Sequence, residues 1–377
     1  MIKIIITGGG SGGHTMPAIA TIEILKDYFA QKNIEYDFLY VGSHNGIEKT
    51  IAAKNAINFT PISTGKLRRY ISYKNLIDIF KVFKGILDSF KVIFHYKPDL
   101  IFSTGGFVSV PVVIAGWFQK VKIIVHEQTI DAGLANKIAG KFADTIALTF
   151  EESKKYFPKD KTVVTGIPLR DKIFQGDKTQ AFTKFGLTES LPVLYVSGGG
   201  LGCHSINTSF NNIVLTLLEK TNVIIQTGNA NDGKDYLDFL RLRENIEDEV
   251  LKKRLLIFNF INDEIADIYA IADLSVARSG AGTVNEFIAL KIPAIFVPLA
   301  IATNDEQYKN AVIMENMQTA LIIKEKDLSD TLLLKTISDI LFTEKLVVMK
   351  NHFQNTQSFY GNKKILDCII QLLNSGA

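Results

Sequence analysis

Residues 6–17 read ITGGGSGGHTMP, a glycine-rich turn that closes on His14. An imidazole there is a candidate general base. The positive end of a helix disfavours the imidazolium and keeps the ring neutral near pH 7. The simpler reading is a histidine that caps the helix or satisfies a backbone carbonyl. Gly8, Gly10 and Gly13 also match the G-x-G-x-x-G spacing, in which backbone N–H groups approach an anion at a helix start. A nicotinamide dinucleotide needs an acid at the end of the second strand for its ribose. That strand ends FLYVGSHNG, with Gly42 and Ser43 where the acid belongs and Asp37 at its beginning, so the oxidoreductase reading loses its support.

The second constellation is VARSGAGTVNEFIALKIPAIFVPL at residues 276–299. Gly280, Ala281, Gly282 and Thr283 make a helix start suited to a diphosphate. Glu286, one turn further in, can accept two hydrogen bonds from a ribose diol; as a plain structural group it is a favourable charge near a helix start. The polar run IATNDEQYKNA at 301–311 offers groups for sugar hydroxyls, or a helix start capped by Asn304 or Asp305. There is no D-x-D triplet, and Cys203 and Cys368 lack metal-ligand spacing. No metal and no cofactor are expected, and two free thiols point to a reducing compartment.

These groups need strand ends to hold them, and the chain supplies them twice. Short apolar runs alternate with helix-period segments, the pattern of parallel strands joined by crossover helices. Strands are expected at 3–6, 38–41, 100–103, 122–125, 145–147 and 162–165, with helices at 18–30, 76–94 and 110–118. After a polar linker at 175–190 the pattern restarts, with strands at 193–197, 223–227, 256–258, 274–277, 294–297 and 321–323. SGGGLGCHS at 197–205 stands where TGGGSGGHT stands at 7–15. The fold class is α/β, two Rossmann-like domains whose parallel sheets face each other across a cleft. The boundaries are 1–170 and 171–357, with a last helix, about 358–377, that can return to the first domain.

A net charge of +3 on 377 residues gives no field for nucleic acid. The opening MIKIII is too short for a signal peptide, and no run reaches the roughly 20 apolar residues of a membrane span, so a cytoplasmic protein with at most peripheral membrane contact is expected. Between 66 and 97, Leu76, Ile79, Phe80, Val82, Phe83, Ile86, Leu87 and Phe90 share a broad helix face, with Lys74, Lys81, Lys84 and Lys91 on another. Such a helix covers a sheet or lies on anionic lipid, where Lys66, Arg68 and Arg69 would add charge.

Eight motifs in one order resemble the bacterial UDP-N-acetylglucosamine transferases that convert lipid I to lipid II: GGGSGGHTMP (8–17), STGKLRR (63–69), STGGFVSVP (103–111), HEQTIDAGLANK (126–137), TGIPLR (165–170), SGGGLG (197–202), RSGAGTVNE (278–286) and DEQYKNA (305–311). The resemblance implies the GT-B fold, with acceptor on the N-terminal domain and nucleotide sugar on the C-terminal one. It implies His14 as the base, with Glu127 as a less favoured carboxylate. Donor contacts would come from Ser11, Gly12, Gly13, Thr129, Arg170 and Gly200. Ile261 would hold the uracil by its backbone, Ala281, Gly282, Thr283, Val284 and Asn285 the diphosphate, Glu286 the ribose and Gln307 the sugar hydroxyls. Gly9, Gly10, Arg68, Arg69, Gly105 and Gly106 would meet the acceptor's pyrophosphate. Thr129, Gly200, Asn304 and Glu306 depart from the family's usual residues. Implied partners are UDP-N-acetylglucosamine, lipid I, an anionic membrane surface and other cell-wall enzymes, at the cytoplasmic face of the inner membrane. A related transferase acting on diacylglycerol is the nearest alternative.

Overall fold

A computed structural model describes residues 1–65, 73–300, 305–355 and 360–375. Lys66, Arg68, Arg69 and Asn304 lie outside the described residues, as do the side chains of Lys74, Leu76 and Ile79. The chain divides into two compact units, Met1–Arg170 with Phe359–Ala377, and Asp171–Ser358.

The first unit has seven parallel strands, β1 (Ile2–Gly8), β2 (Tyr36–Ser43), β3 (Asn58–Ile62), β4 (Leu100–Gly105), β5 (Lys122–Glu127), β6 (Thr145–Leu148) and β7 (Thr162–Val164), in the order β3-β2-β1-β4-β5-β6-β7. Helices α1 (Gly12–Gln31), α2 (Ile47–Lys54), α3 (Tyr73–Tyr96) and α4 (Ser109–Phe118) belong to the crossovers. A buried parallel sheet needs apolar side chains on both faces. Period-2 alternation supplies them in β1: Ile4 and Ile6 join Ile19, Ile22, Leu25 and Phe29 of α1, while Ile5 joins Val112 and Val113 of α4. The C-terminal helix Asn362–Asn374 adds Ile365 and Ile369 to the α1 side, and Lys122 Nζ donates to its Leu372 carbonyl at 2.7 Å.

β3 has no counterpart among the strands expected from the sequence. Its residues, NFTPI, are largely exposed and include Pro61, which an edge strand tolerates and an interior one does not.

The second unit carries β8 (Val193–Ser197), β9 (Asn222–Gln226), β10 (Leu255–Phe258), β11 (Leu274–Ala277), β12 (Ala294–Phe296) and β13 (Ala320–Ile322), all parallel, in the order β10-β9-β8-β11-β12-β13. The segment read as a linker contains the helix Lys178–Phe185: Asp177 accepts from Gln180 N, and Gly186, at φ 65°, ends it. Eight residues are too few for a clear apolar period.

In each sheet the strand order reverses beside the first strand of its unit. Ligands of open α/β sheets bind beyond the carboxyl ends of the strands at that reversal. The loops there are 9–11 and 106–108 in the first unit, and 198–203 and 278–280 in the second.

Candidate active site

The first glycine loop is shaped by two close approaches. A Cβ at Gly8 would lie 1.8 Å from Thr104 Oγ1, and one at Gly106, where φ is 82°, would lie 2.1 Å from the Gly9 carbonyl. The ends of β1 and β4 therefore pack backbone against backbone, which only glycine allows. Beneath them Glu48 of α2 is fully buried, accepting from Gly10 N at 3.2 Å and from Ser43 N at 2.9 Å. Gly9 N donates to the Gly105 carbonyl. The N–H groups of Gly9 and Gly10, expected to meet a pyrophosphate, are thus hydrogen-bonded inside the loop. Gly12 and Gly13 open α1 and have no intrahelical acceptor, and Ser11 makes no side-chain cap. A Cβ on Gly12 would meet nothing within 4 Å, so this helix start faces open space.

His14 is pinned twice by Thr104. Thr104 Oγ1 donates to the His14 carbonyl at 2.7 Å, and the Thr104 carbonyl lies 2.9 Å from His14 Nδ1. A carbonyl only accepts, so Nδ1 carries the ring proton and Nε2 keeps its lone pair. Glu127, the less favoured base, is 2% exposed and has no capacity left. Its Oε1 accepts from Thr129 N and Oγ1, and its Oε2 from Gly133 N and Asn136 Nδ2. Thr129, read as a donor contact, is held by the same carboxylate and is buried. Arg170 is partly buried at the end of the first unit.

In the second unit the helix Ala281–Leu290 starts at Gly280 with no side-chain cap, and a Cβ at Gly280 or Gly282 would meet nothing within 4 Å. The N–H groups of Ala281, Gly282 and Thr283 have no intrahelical acceptor. Val284 and Asn285, also expected at the diphosphate, are buried and hydrogen-bonded within the helix. Val284 is 1% exposed and its N–H donates to the Gly280 carbonyl; Asn285 is equally buried and its Nδ2 donates to the Ala281 carbonyl. Both face inward because the helix turns them onto the sheet. Glu286 is partly buried and accepts from Tyr269 Oη at 2.8 Å. Ile261 N donates to Gln226 Oε1 at 3.0 Å, which leaves the Ile261 carbonyl as its free backbone group for a base. Gln226 Nε2 donates to the Gly199 carbonyl, so one buried amide ties the second glycine loop to Ile261. Gly200 is exposed in that loop. Gln307 Oε1 accepts from Leu299 N at 3.0 Å, leaving its amide nitrogen to reach outward.

Arg278, two residues before the helix start at Gly280, is held by partners of its own. Its guanidinium is 11% exposed and bonds Glu325 and the Val297 carbonyl. Burial alone would raise the Glu325 carboxyl; hydrogen bonds from Arg278, Ser205 and Ala300 N outweigh it and bring its pKa down to about 2. A folded-state pKa below the unfolded one stabilises the fold fully above the ordinary carboxylate range. That stabilisation, about 1–2 kcal/mol after allowance for partial solvent screening, is lost as pH falls through the folded value. Urea unfolding at pH 5 and pH 3 is expected to show the wild type losing its margin over Glu325→Gln on acidification. A margin independent of pH would count against it.

The residues that sequence reading missed here are Glu48, Thr104, Gln226, Tyr269 and Glu325. Each acts through a partner distant in sequence. Among the described residues no cluster of histidine, cysteine and carboxylate could hold a metal, and no helix is long and apolar enough to cross a membrane.

Two family descriptions match this geometry in order, the glycosyltransferase family 28 N-terminal domain over residues 4–148 and its C-terminal domain over 193–364. A UDP-N-acetylglucosamine–N-acetylmuramyl-(pentapeptide) pyrophosphoryl-undecaprenol N-acetylglucosamine transferase of Bacillus cereus is 37% identical over 98% of this chain and 99% of its own. One from Clostridium perfringens is 40% identical over 90% of both chains. In fold, the crystal structure of Acinetobacter baumannii MurG is similar with a TM-score of 0.71 at 22% identity, over 98% of this chain and all of that one. Two parallel sheets with glycine loops at both order reversals, and two family domains in register with them, place this chain in glycosyltransferase family 28.

Proposed function

We infer that this protein transfers N-acetylglucosamine from UDP-N-acetylglucosamine to the 4-hydroxyl of the muramyl sugar of lipid I, with inversion at the anomeric carbon, giving lipid II. The observation that carries the mechanism is the Nδ1-protonated ring of His14 at the mouth of the first glycine loop. Its Nε2 takes the proton of the attacking hydroxyl as that oxygen bonds to the anomeric carbon. The bond from that carbon to the diphosphate breaks, and UDP leaves with the electron pair. Charge on UDP is met by the N–H groups of Ala281, Gly282 and Thr283 at the positive end of their helix. Glu286, held by Tyr269, accepts from the ribose hydroxyls; the Ile261 carbonyl accepts from uracil N3–H; the free amide nitrogen of Gln307 serves the sugar. In this reading the second unit binds the nucleotide sugar, with Ser11, Gly12 and Gly13 of the first unit as further donor contacts, and the first unit binds the acceptor, whose pyrophosphate meets the loop at Gly105 and Gly106.

The membrane reading gains support from α3 and α4. The most buried residues of α3 are Gly85, Ser89 and Ile93, with Phe90, Val92 and Tyr96 packed partly against the same core, while several large apolar residues of the helix stay exposed. Phe80, Phe83, Leu87 and Phe94 are 63–69% exposed, and Trp117 and Phe118 of α4 are also exposed. Exposed Lys81, Lys84 and Lys91 flank them. A contiguous apolar face rimmed by lysine fits an anionic lipid surface, where an undecaprenyl-linked acceptor resides.

Incubation with labelled UDP-N-acetylglucosamine, a soluble lipid I analogue and, in parallel, diacylglycerol tests the assignment. Label is expected on the lipid I analogue alone, with or without EDTA. Transfer to diacylglycerol, or loss with EDTA and recovery with magnesium, would overturn the substrate or the metal-free chemistry respectively.

A further inference from the structure

We propose that Gln128 is a positioning residue that acts beside the Thr104 carbonyl to fix which nitrogen of the His14 ring carries the proton, and that His126 fixes the amide of Gln128 in turn. The inference rests on His14 being the base. Gln128 is 1% exposed and follows β5. Its Nε2 lies 2.8 Å from the Thr104 carbonyl, 2.9 Å from the His126 carbonyl and 3.0 Å from His126 Nδ1. The last is an acceptor because His126 Nε2 faces the Gly166 carbonyl at 2.9 Å and must be the protonated nitrogen. Burial, aided by nearby His14 and opposed by the Gly166 bond, pushes His126 down to about 4, so its ring does not take a second proton near neutrality.

Three acceptors around one amide nitrogen leave the amide a single orientation. Turned over, its oxygen would face two carbonyl oxygens and a ring lone pair, with no donor to meet it in a buried site. In the orientation observed, Gln128 Oε1 lies 3.0 Å from His14 Nδ1. That nitrogen therefore faces two oxygens, Oε1 and the Thr104 carbonyl, and neither can donate to it. The other tautomer would set its lone pair against theirs. The chain His14, Gln128, His126, Gly166 thus runs donor to acceptor in one direction, from Nδ1–H to the Gly166 carbonyl, and leaves the His14 Nε2 bare.

Other ionisable groups around the loop do not compete. Glu127 of β5 already has four donors, and Glu48 of α2 is bonded to Gly10 and Ser43. A neutral amide suits this position. It holds the ring without making it a strong resting cation, and when Nε2 takes the acceptor's proton both oxygens already face the Nδ1–H of the imidazolium.

Long-range proton–nitrogen NMR on the full chain labelled with ¹⁵N-histidine tests this, with the His14 signals identified by their loss in His14→Gln. The wild type is expected to show Nδ1 protonated and Nε2 bare near neutral pH. Gln128→Met is expected to show a mixture of tautomers and a kcat lower by roughly 10–100-fold, the usual effect of losing such a support, with KM for UDP-N-acetylglucosamine within about twofold. An Nε2-protonated ring in the wild type overturns the proposal, and this holds even if the variant does not fold. A tautomer unchanged in Gln128→Met also overturns it, whatever kcat does. A tautomer that shifts while kcat holds instead removes His14 as the base.

Discussion

Replacing His14 with alanine is expected to lower kcat by roughly 10²–10⁴-fold, the range supplied by a positioned general base, with little change in KM for UDP-N-acetylglucosamine. The split follows from where the groups sit. The nucleotide contacts we assign lie in the second unit, and His14 opens α1 in the first, at the order reversal of its sheet. Among the described residues alanine removes the candidate base at that helix start, and Glu127 cannot replace it because four donors saturate its carboxylate. His14→Gln provides the control: it keeps a hydrogen-bonding side chain without a basic nitrogen and is expected to be as slow. Steady-state kinetics with the lipid I analogue decide the matter. Turnover within a few-fold of wild type in both variants would eliminate the histidine as base.

Glu48→Ala is expected to destabilise the first unit by about 3–5 kcal/mol, the loss typical of breaking a buried charged hydrogen-bonded group. Glu48 sits in a cage of glycines. Cβ atoms built on Gly9, Gly42 and Gly46 would each come within 2.8 Å of it, so these positions leave room for the carboxylate and nothing larger. Truncation empties that space and leaves the Gly10 N–H and both Ser43 donors without their acceptor. Glu48→Gln keeps the volume but turns an amide N–H₂ toward backbone donors, and an intermediate loss of about 1–3 kcal/mol is expected. Urea unfolding followed by a probe in the first unit, such as Trp117, measures both. A Glu48→Ala variant within about 1 kcal/mol of wild type would contradict the account.

These two residues also mark how far the sequence could be read. His14 was visible because glycines, an apolar strand and a helix pattern surround it, and all of those are local signals. Every strand of the second unit was legible for the same reason, as a short apolar run bounded by turn residues. Glu48 was not legible: in GIEKTIAAK it is an ordinary acid in a helix's first turn, and only the fold brings it under a loop 38 residues away. Gln128 gains its orientation from Thr104 and His126, and Glu325 its low pKa from an arginine 47 residues earlier. Local pattern misled at α3, where the helical wheel gathers the large apolar residues on one face. The helix packs through Gly85 instead, whose missing side chain lets it lie against the Ser63 carbonyl and Pro111.

The C-terminal helix bears on how the protein is made. Ile365 and Ile369 complete a core whose other members, Ile4, Ile19, Phe38 and Phe102, lie in the first third of the chain. A ribosome delivers those residues before the second unit and the helix after it. Until then the nascent first unit presents an uncovered apolar groove beside α1, and it closes only when the 13-residue helix emerges. The second unit, Asp171–Ser358, is continuous in sequence and has no such wait, so the part of the chain translated later is the first that can finish folding.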